Sequence, residues 1–221
     1  MQEPKVKKTK LKRVLTVADI TNQKVQRIPF EDEFLEVFGQ PQNRGVWFVY
    51  GTSGSGKSTF IMQLAKEFSK YYKTLYDPLE EETDDSDFIE RVALVNMQDV
   101  GSNFHAQQYD LDELNIYLEK RGSPKVVIID SATYFFKNWN EYLAFKNKWQ
   151  TKKIIIVIGH AEGKNPRTEL EKSIKYNAKM KVFVSGYLAI NQGRTFGTKN
   201  TFITWPEGYD KLRGQDAHKE N

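Results

Sequence analysis

Residues 51–58 read Gly51-Thr52-Ser53-Gly54-Ser55-Gly56-Lys57-Ser58, and both flanks restrict what this stretch can become. Before it runs Val46-Trp47-Phe48-Val49-Tyr50, an apolar stretch rich in β-branched and aromatic residues, suited to a buried strand. After it Phe60, Ile61, Leu64, Ala65 and Phe68 recur at helical spacing. A strand, a G-x-x-x-x-G-K-S turn and a helix in that order make a phosphate-binding loop and commit the chain to an α/β fold. The glycines let backbone N–H groups close on phosphate oxygens without a Cβ in the way, and the helix N-terminus adds partial positive charge. Residues 51–58, with Thr59 behind them, are therefore the expected cradle for ATP. Lys57 is placed to reach the β- and γ-phosphates, and the Ser58 hydroxyl to ligate Mg²⁺.

The chain has 221 residues, enough for one full α/β core and few for two. Its net charge of +4 is mild, but the charge is unevenly placed. Lys5, Lys7, Lys8, Lys10, Lys12 and Arg13 crowd the N-terminus, either as an arm for phosphates or acidic partners or as a solvated tail. We divide the chain into a basic arm at 1–20, one core domain at 21–208 and a polar tail at 209–221. The absence of cysteine excludes disulfides, thiolate nucleophiles and thiolate-bound zinc. With no long apolar span and no signal-like N-terminus, no membrane association and a cytoplasmic location are expected.

Strand-like and helix-like segments alternate, which predicts a mostly parallel sheet flanked by helices. Strands are expected at 46–50, 73–77, 126–130 and 154–158, with helices near 57–72, 86–96 and 111–121. Segments 182–184, 187–190 and 201–205 have strand character without helices between them, so an antiparallel extension is expected at the C-terminal end.

Val126-Val127-Ile128-Ile129 ends in Asp130, which places a carboxylate at the strand edge beside the phosphate loop, as a second holder of Mg²⁺. The next residue is Ser131, so a base for hydrolysis has to come from elsewhere, and Leu79-Glu80-Glu81 offers one just past the neighbouring strand. An apolar strand ending in Asp-Ser, paired with a Glu after the adjacent strand, resembles the RecA/DnaB superfamily, including DnaB-like helicases and KaiC-like ATPases. Pro78 stands where those families usually carry Ser. By that resemblance Glu80 is the base, with Glu81 second.

The resemblance covers roughly residues 45–205 and implies a RecA-like P-loop NTPase core and further roles. His160, after Ile156-Val157-Ile158-Gly159, matches a polar sensor of the γ-phosphate. The polar stretch 161–179, with Lys164, Arg167, Lys172 and Lys175, matches a loop that contacts single-stranded DNA. Arg194, in Asn191-Gln192-Gly193-Arg194, matches a basic finger that enters a neighbouring subunit's site, or is an ordinary hairpin residue. The aromatics from Tyr134 to Trp149 read better as a helix's core face than as stacking platforms. The expectation is a Mg²⁺-dependent ATPase, self-associated as a ring or filament on single-stranded DNA. So short a core resembles the compact recombination and replication ATPases of phages and mobile elements. A KaiC-like regulatory ATPase acting on proteins is the alternative, and a small-molecule phosphotransferase the more distant one.

Overall fold

The computed structural model describes residues 11–217, and the side chains of residues 11–213. The first half of the basic N-terminal arm, including Lys5, Lys7, Lys8 and Lys10, lies outside the described residues. Two short helices lead in, α1 (Val17–Thr21) and α2 (Asp32–Phe38). The phosphate loop then joins β1 (Gly45–Gly51) to α3 (Lys57–Ser69). There follow β2 (Thr74–Pro78), α4 (Ser86–Leu94), β3 (Phe104–Ala106), α5 (Leu111–Glu119) and β4 (Val126–Asp130). Next come α6 (Ala132–Phe135), α7 (Trp139–Trp149), β5 (Ile154–Glu162), β6 (Asn165–Pro166) and α8 (Glu169–Asn177). The chain closes with β7 (Met180–Ser185), β8 (Leu188–Asn191), β9 (Thr201–Ile203) and α9 (Pro206–Ala217). The polar tail expected from residue 209 thus begins inside a helix.

The strands form one sheet in the order β3-β2-β4-β5-β1-β7-β8-β9, with β6 paired to β5. From β3 to β7 every neighbour is parallel, while β7-β8 and β8-β9 are antiparallel, as the sequence leads one to expect. Both faces of the parallel part are covered, which is why β1, β2 and β4 are buried at every residue. Side chains of β1 alternate between two cores. Trp47 and Val49 pack with Phe60, Leu64 and Phe68 of α3, whereas Val46, Phe48 and Tyr50 pack with Tyr142, Phe145, Trp149 and Ile174 on the other face. Each fully buried large apolar side chain of this kind stabilises by about 1.5–3 kcal/mol. The aromatics of α7 are thus core, with Tyr142, Phe145 and Trp149 at most 4% exposed.

Parallel strands align their C-terminal ends along one edge, and that edge carries the site. In register, Gly51 of β1 stands beside His160 of β5 and Val184 of β7, and Pro78 of β2 stands beside Asp130 of β4.

Candidate active site

At that edge the loop turns from β1 into α3 through two glycines with positive φ, Gly54 at 70° and Gly56 at 86°. Gly56 is also sterically confined, since a Cβ there would meet Thr204 Oγ1 at 2.7 Å and the Tyr187 ring at 2.8 Å. Ser55 closes the loop from within, its hydroxyl donating to Thr52 O at 2.7 Å and its carbonyl accepting from Tyr187 N at 3.0 Å. No side chain caps α3, so its first N–H groups are left for an anion.

Thr52, Ser53, Gly54, Gly56, Lys57, Ser58 and Thr59 line a cavity of about 370 Å³. Glu80, Arg91, His160 and Tyr187 complete its wall. Lys57 is only 8% exposed, and Ser55 and Gly51 support the loop from behind.

Glu80 and Glu81 part company here. Glu80 lines the cavity with its carboxylate Oε1 3.3 Å from His160 Nε2. Glu81 is instead ion-paired with Arg91 of α4. The turn carrying both is fixed to the sheet, because Leu79 N donates to Asp130 O at 2.8 Å and Gln108 Nε2 donates to the carbonyls of Pro78 and Glu81, each at 2.9 Å. Pro78 pairs in register with Asp130, so it completes β2 and leaves Glu80 one residue past Leu79 at the same sheet edge.

Asp130 is 6% exposed. Burial pushes its carboxyl above the ordinary range, Lys57 and the Tyr76 hydrogen bond pull it back, and Glu80 and Glu81 push it up. Tyr76 donates its hydroxyl to Asp130 Oδ2 at 2.6 Å, while Oδ1 is buried without a partner. An orphaned carboxylate oxygen at the end of β4, together with the Ser58 hydroxyl lining the cavity at the same sheet edge, is a donor set that fits a hydrated Mg²⁺.

His160 is held from behind. Its backbone N–H donates to Glu171 Oε1 at 2.8 Å, and its ring Nδ1 stands 3.8 Å from the same oxygen. Glu171 is fully buried at the start of α8 and also accepts from Thr168 N at 2.8 Å and Thr168 Oγ1 at 2.9 Å. Gly159 makes room for this arrangement, because a side chain there would run into the Phe48 ring and Glu171.

The stretch 161–179 is not a loop, contrary to the sequence reading. It is the hairpin β5-β6 followed by α8, whose Thr168 forms a capping box with Glu171. Lys164 and Arg167 are exposed on the hairpin, and Lys172 is exposed beside Glu169, Nζ to Oε1 2.6 Å. Lys175 turns inward instead, donating to the Tyr50 hydroxyl with its ammonium 4.4 Å from the ring centre. That pairing removes it from the free cations of this surface.

Arg194 is exposed in the turn after β8, away from its own phosphate loop. Its N–H donates to Lys179 O, and Lys179 N donates to Val46 O, near the start of β1. The loop leaves the other end of that strand, at roughly 3.3 Å per residue. Arg194 therefore does not join the residues of its own cavity. Lys199, the next basic residue, is bound to Glu36 at 2.8 Å and Glu33 at 3.4 Å.

Two wall residues escaped the sequence reading. Arg91 belongs to a helix read only for its existence, and Tyr187 sits at φ 60° in the β7-β8 turn, where no motif marks it.

No family model and no curated protein sequence matches the chain. Solved structures do. The flagellar accessory protein FlaH from Methanocaldococcus jannaschii superposes with a TM-score of 0.59 at 18% identity, over 81% of this chain and 92% of that one. A KaiC-like protein from the hyperthermophilic archaeon Pyrococcus horikoshii gives a TM-score of 0.62 at 16% identity, over 80% and 94%. The fold is RecA-like. At such identities the likeness establishes the architecture alone, and the chemistry rests on the cavity's own residues. Among the described residues no helix is long and apolar enough to cross a membrane.

Proposed function

We propose that this RecA-like protein binds ATP with Mg²⁺ and hydrolyses it, with Glu80 as the base that activates water. One observation carries the reading: a phosphate loop, Glu80 and His160 line a single cavity, while Asp130 keeps a free carboxylate oxygen at the same sheet edge. Lys57 and the N–H groups of α3 would bind the phosphates, and Ser58 and Asp130 would hold Mg²⁺, which supplies charge neutralisation at the transferring phosphate. His160, with Nε2 3.3 Å from Glu80 Oε1 on the same cavity wall, would orient that carboxylate and, by turning its ring N–H, donate to a phosphate oxygen.

For the ligand that this hydrolysis serves, we infer single-stranded DNA on the α8 side, acted on by a recombinase- or helicase-like assembly. The supports are exposed Lys164, Arg167 and Lys172, and Tyr176, which is 85% exposed on α8 near Trp139. Cations for phosphates and an open aromatic face for a base are the elements of sequence-independent single-strand binding. Arg194, exposed and remote from its own cavity, suits a finger offered to a neighbouring subunit. A KaiC-like ATPase acting on protein partners is the second reading, favoured by Lys175 being spent on Tyr50 and Lys172 on Glu169. ATPase rate with and without single-stranded oligonucleotide separates the two. The DNA reading expects stimulation and binding that falls steeply with salt. No binding at low salt with ATP and Mg²⁺ present would select the protein-partner reading.

A further inference from the structure

Among the described residues, Arg91 is the one Lys or Arg side chain besides Lys57 on the wall of the phosphate cavity. It reaches that wall because Phe88, one turn earlier on α4, is 4% exposed and packs on the Tyr76 ring at 5.8 Å between centroids. Residues three apart share a helix face, so anchoring Phe88 on β2 swings Arg91 over the end of the same strand. There its Nη2 is paired with Glu81, while its Nε is buried with no partner. The guanidinium is thus held by one carboxylate and only partly satisfied, which costs free energy that a better acceptor would recover.

Charge supplies that acceptor. The cavity edge carries Glu80, Glu81 and Asp130 against Lys57 and Arg91. A triphosphate adds several negative charges to this already acidic edge, and its terminal phosphate offers planar pairs of oxygens that match a guanidinium fork. We propose that Arg91 is a γ-phosphate contact contributed by the subunit's own helix, with Glu81 as the latch from which the nucleotide draws it. This rests on reading the cavity as a nucleotide site, and it adds a cation that needs no neighbouring subunit. Glu81 is then a partner of Arg91 and not a reserve base. The contact makes the site prefer a triphosphate over a diphosphate, because only the former reaches the guanidinium.

Isothermal titration of the full chain with Mg-ADP and with a Mg-bound β,γ-imido analogue of ATP tests this. Arg91→Ala should lose about tenfold or more in affinity for the analogue, the scale of a charge-assisted hydrogen bond, and little for ADP. Arg91→Lys, which keeps the charge and loses the fork, should recover part of the difference. Equal losses for both nucleotides, or none, would mean that Arg91 only docks α4, and would overturn the proposal. Should Arg91→Ala fail to fold, Glu81→Gln is the second variant. Freeing the guanidinium should raise the preference for the analogue, and an unchanged or lowered preference overturns the latch. A parent chain that binds neither nucleotide refutes the nucleotide reading itself, whereas a parent that prefers the analogue, with variants that keep its preference, refutes only Arg91.

Discussion

Replacing Glu171 by Ala should damage both stability and turnover, and the two effects can be sized separately. The carboxylate is fully buried and accepts from His160 N, Thr168 N and Thr168 Oγ1 at 2.8–2.9 Å. Alanine leaves two backbone N–H groups without acceptors, at about 1–3 kcal/mol each. A central loss of about 4 kcal/mol would lower Tm by about 10 °C in a chain of this length. Glu171→Gln should cost about half as much, because its one carbonyl oxygen can serve either His160 or Thr168 while the amide opposes the other donor. Turnover should fall about tenfold in Glu171→Ala at 25 °C, since the strand end that aims His160 at Glu80 loses its tether. The KM for ATP should move little, because the phosphate loop rides on β1 and α3. Thermal denaturation followed by circular dichroism reads the first effect, and steady-state phosphate release reads the second. An unchanged Tm would refute the hydrogen-bond accounting. A lowered Tm with intact turnover would refute the link from α8 to the site.

Lys57→Ala should abolish most ATP binding or turnover in a phosphate-release assay, its ammonium being the buried cation of the cavity. Glu80→Gln should keep nucleotide binding and lose roughly two orders of magnitude in kcat, with Glu81→Gln milder, as single-turnover measurements would resolve. Asp77 of β2 is fully buried, and burial first, then Glu113 and Asp130, raise its carboxyl from 3.8 to about 7 against the Tyr109 N–H that lowers it. The folded chain keeps that proton where the unfolded chain has released it, so stability should fall as pH rises from about 4 to about 7, and urea titrations should find Asp77→Asn gaining on the parent on the order of a few kcal/mol at pH 8 and little at pH 4. Mixing inactive Lys57→Ala with inactive Arg194→Ala should restore ATPase activity if Arg194 serves a neighbour, and persistent inactivity in co-assemblies seen by light scattering would exclude a trans finger.

The parts of this fold legible in the sequence are those where one local signal suffices. Val126-Val127-Ile128-Ile129 is continuous because β4 is buried on both faces, and the glycine-rich loop is conspicuous because backbone must approach an anion closely. The helix α8 is hard to read from the sequence for the opposite reason. Its buried positions are few, Glu171 and Ile174, and one of them is charged, so hydrophobic spacing says little. Its capping box, Thr168 followed by Glu171 three residues later, was the available signal. A buried glutamate that reaches back to a strand end depends on long-range packing that no spacing rule contains. Arg91 and Tyr187 are the same case, since each reaches the cavity only after α4 and the β7-β8 turn have docked. The separate fates of Glu80 and Glu81 likewise depend on partners 80 and 10 residues away in the chain, His160 and Arg91.

The buried Glu171 gives the proposed partner surface a physical route to hydrolysis. It belongs to α8, whose outer face carries Lys172 and Tyr176, and it holds the strand end whose His160 contacts Glu80. A ligand on α8 can alter turnover only if it binds more tightly to one setting of that chain of contacts than to another. Linkage then requires reciprocity at equilibrium. If single-stranded DNA tightens binding of the β,γ-imido ATP analogue by some factor, the analogue must tighten DNA binding by the same factor. Fluorescence anisotropy with a labelled oligonucleotide, with and without the analogue, gives one side of the cycle, and nucleotide titration with and without oligonucleotide gives the other. In Glu171→Ala the tether is gone, so the factor should fall toward one while both separate affinities survive. A factor left intact in that variant would route the coupling elsewhere, through Arg194 and the subunit interface rather than through α8.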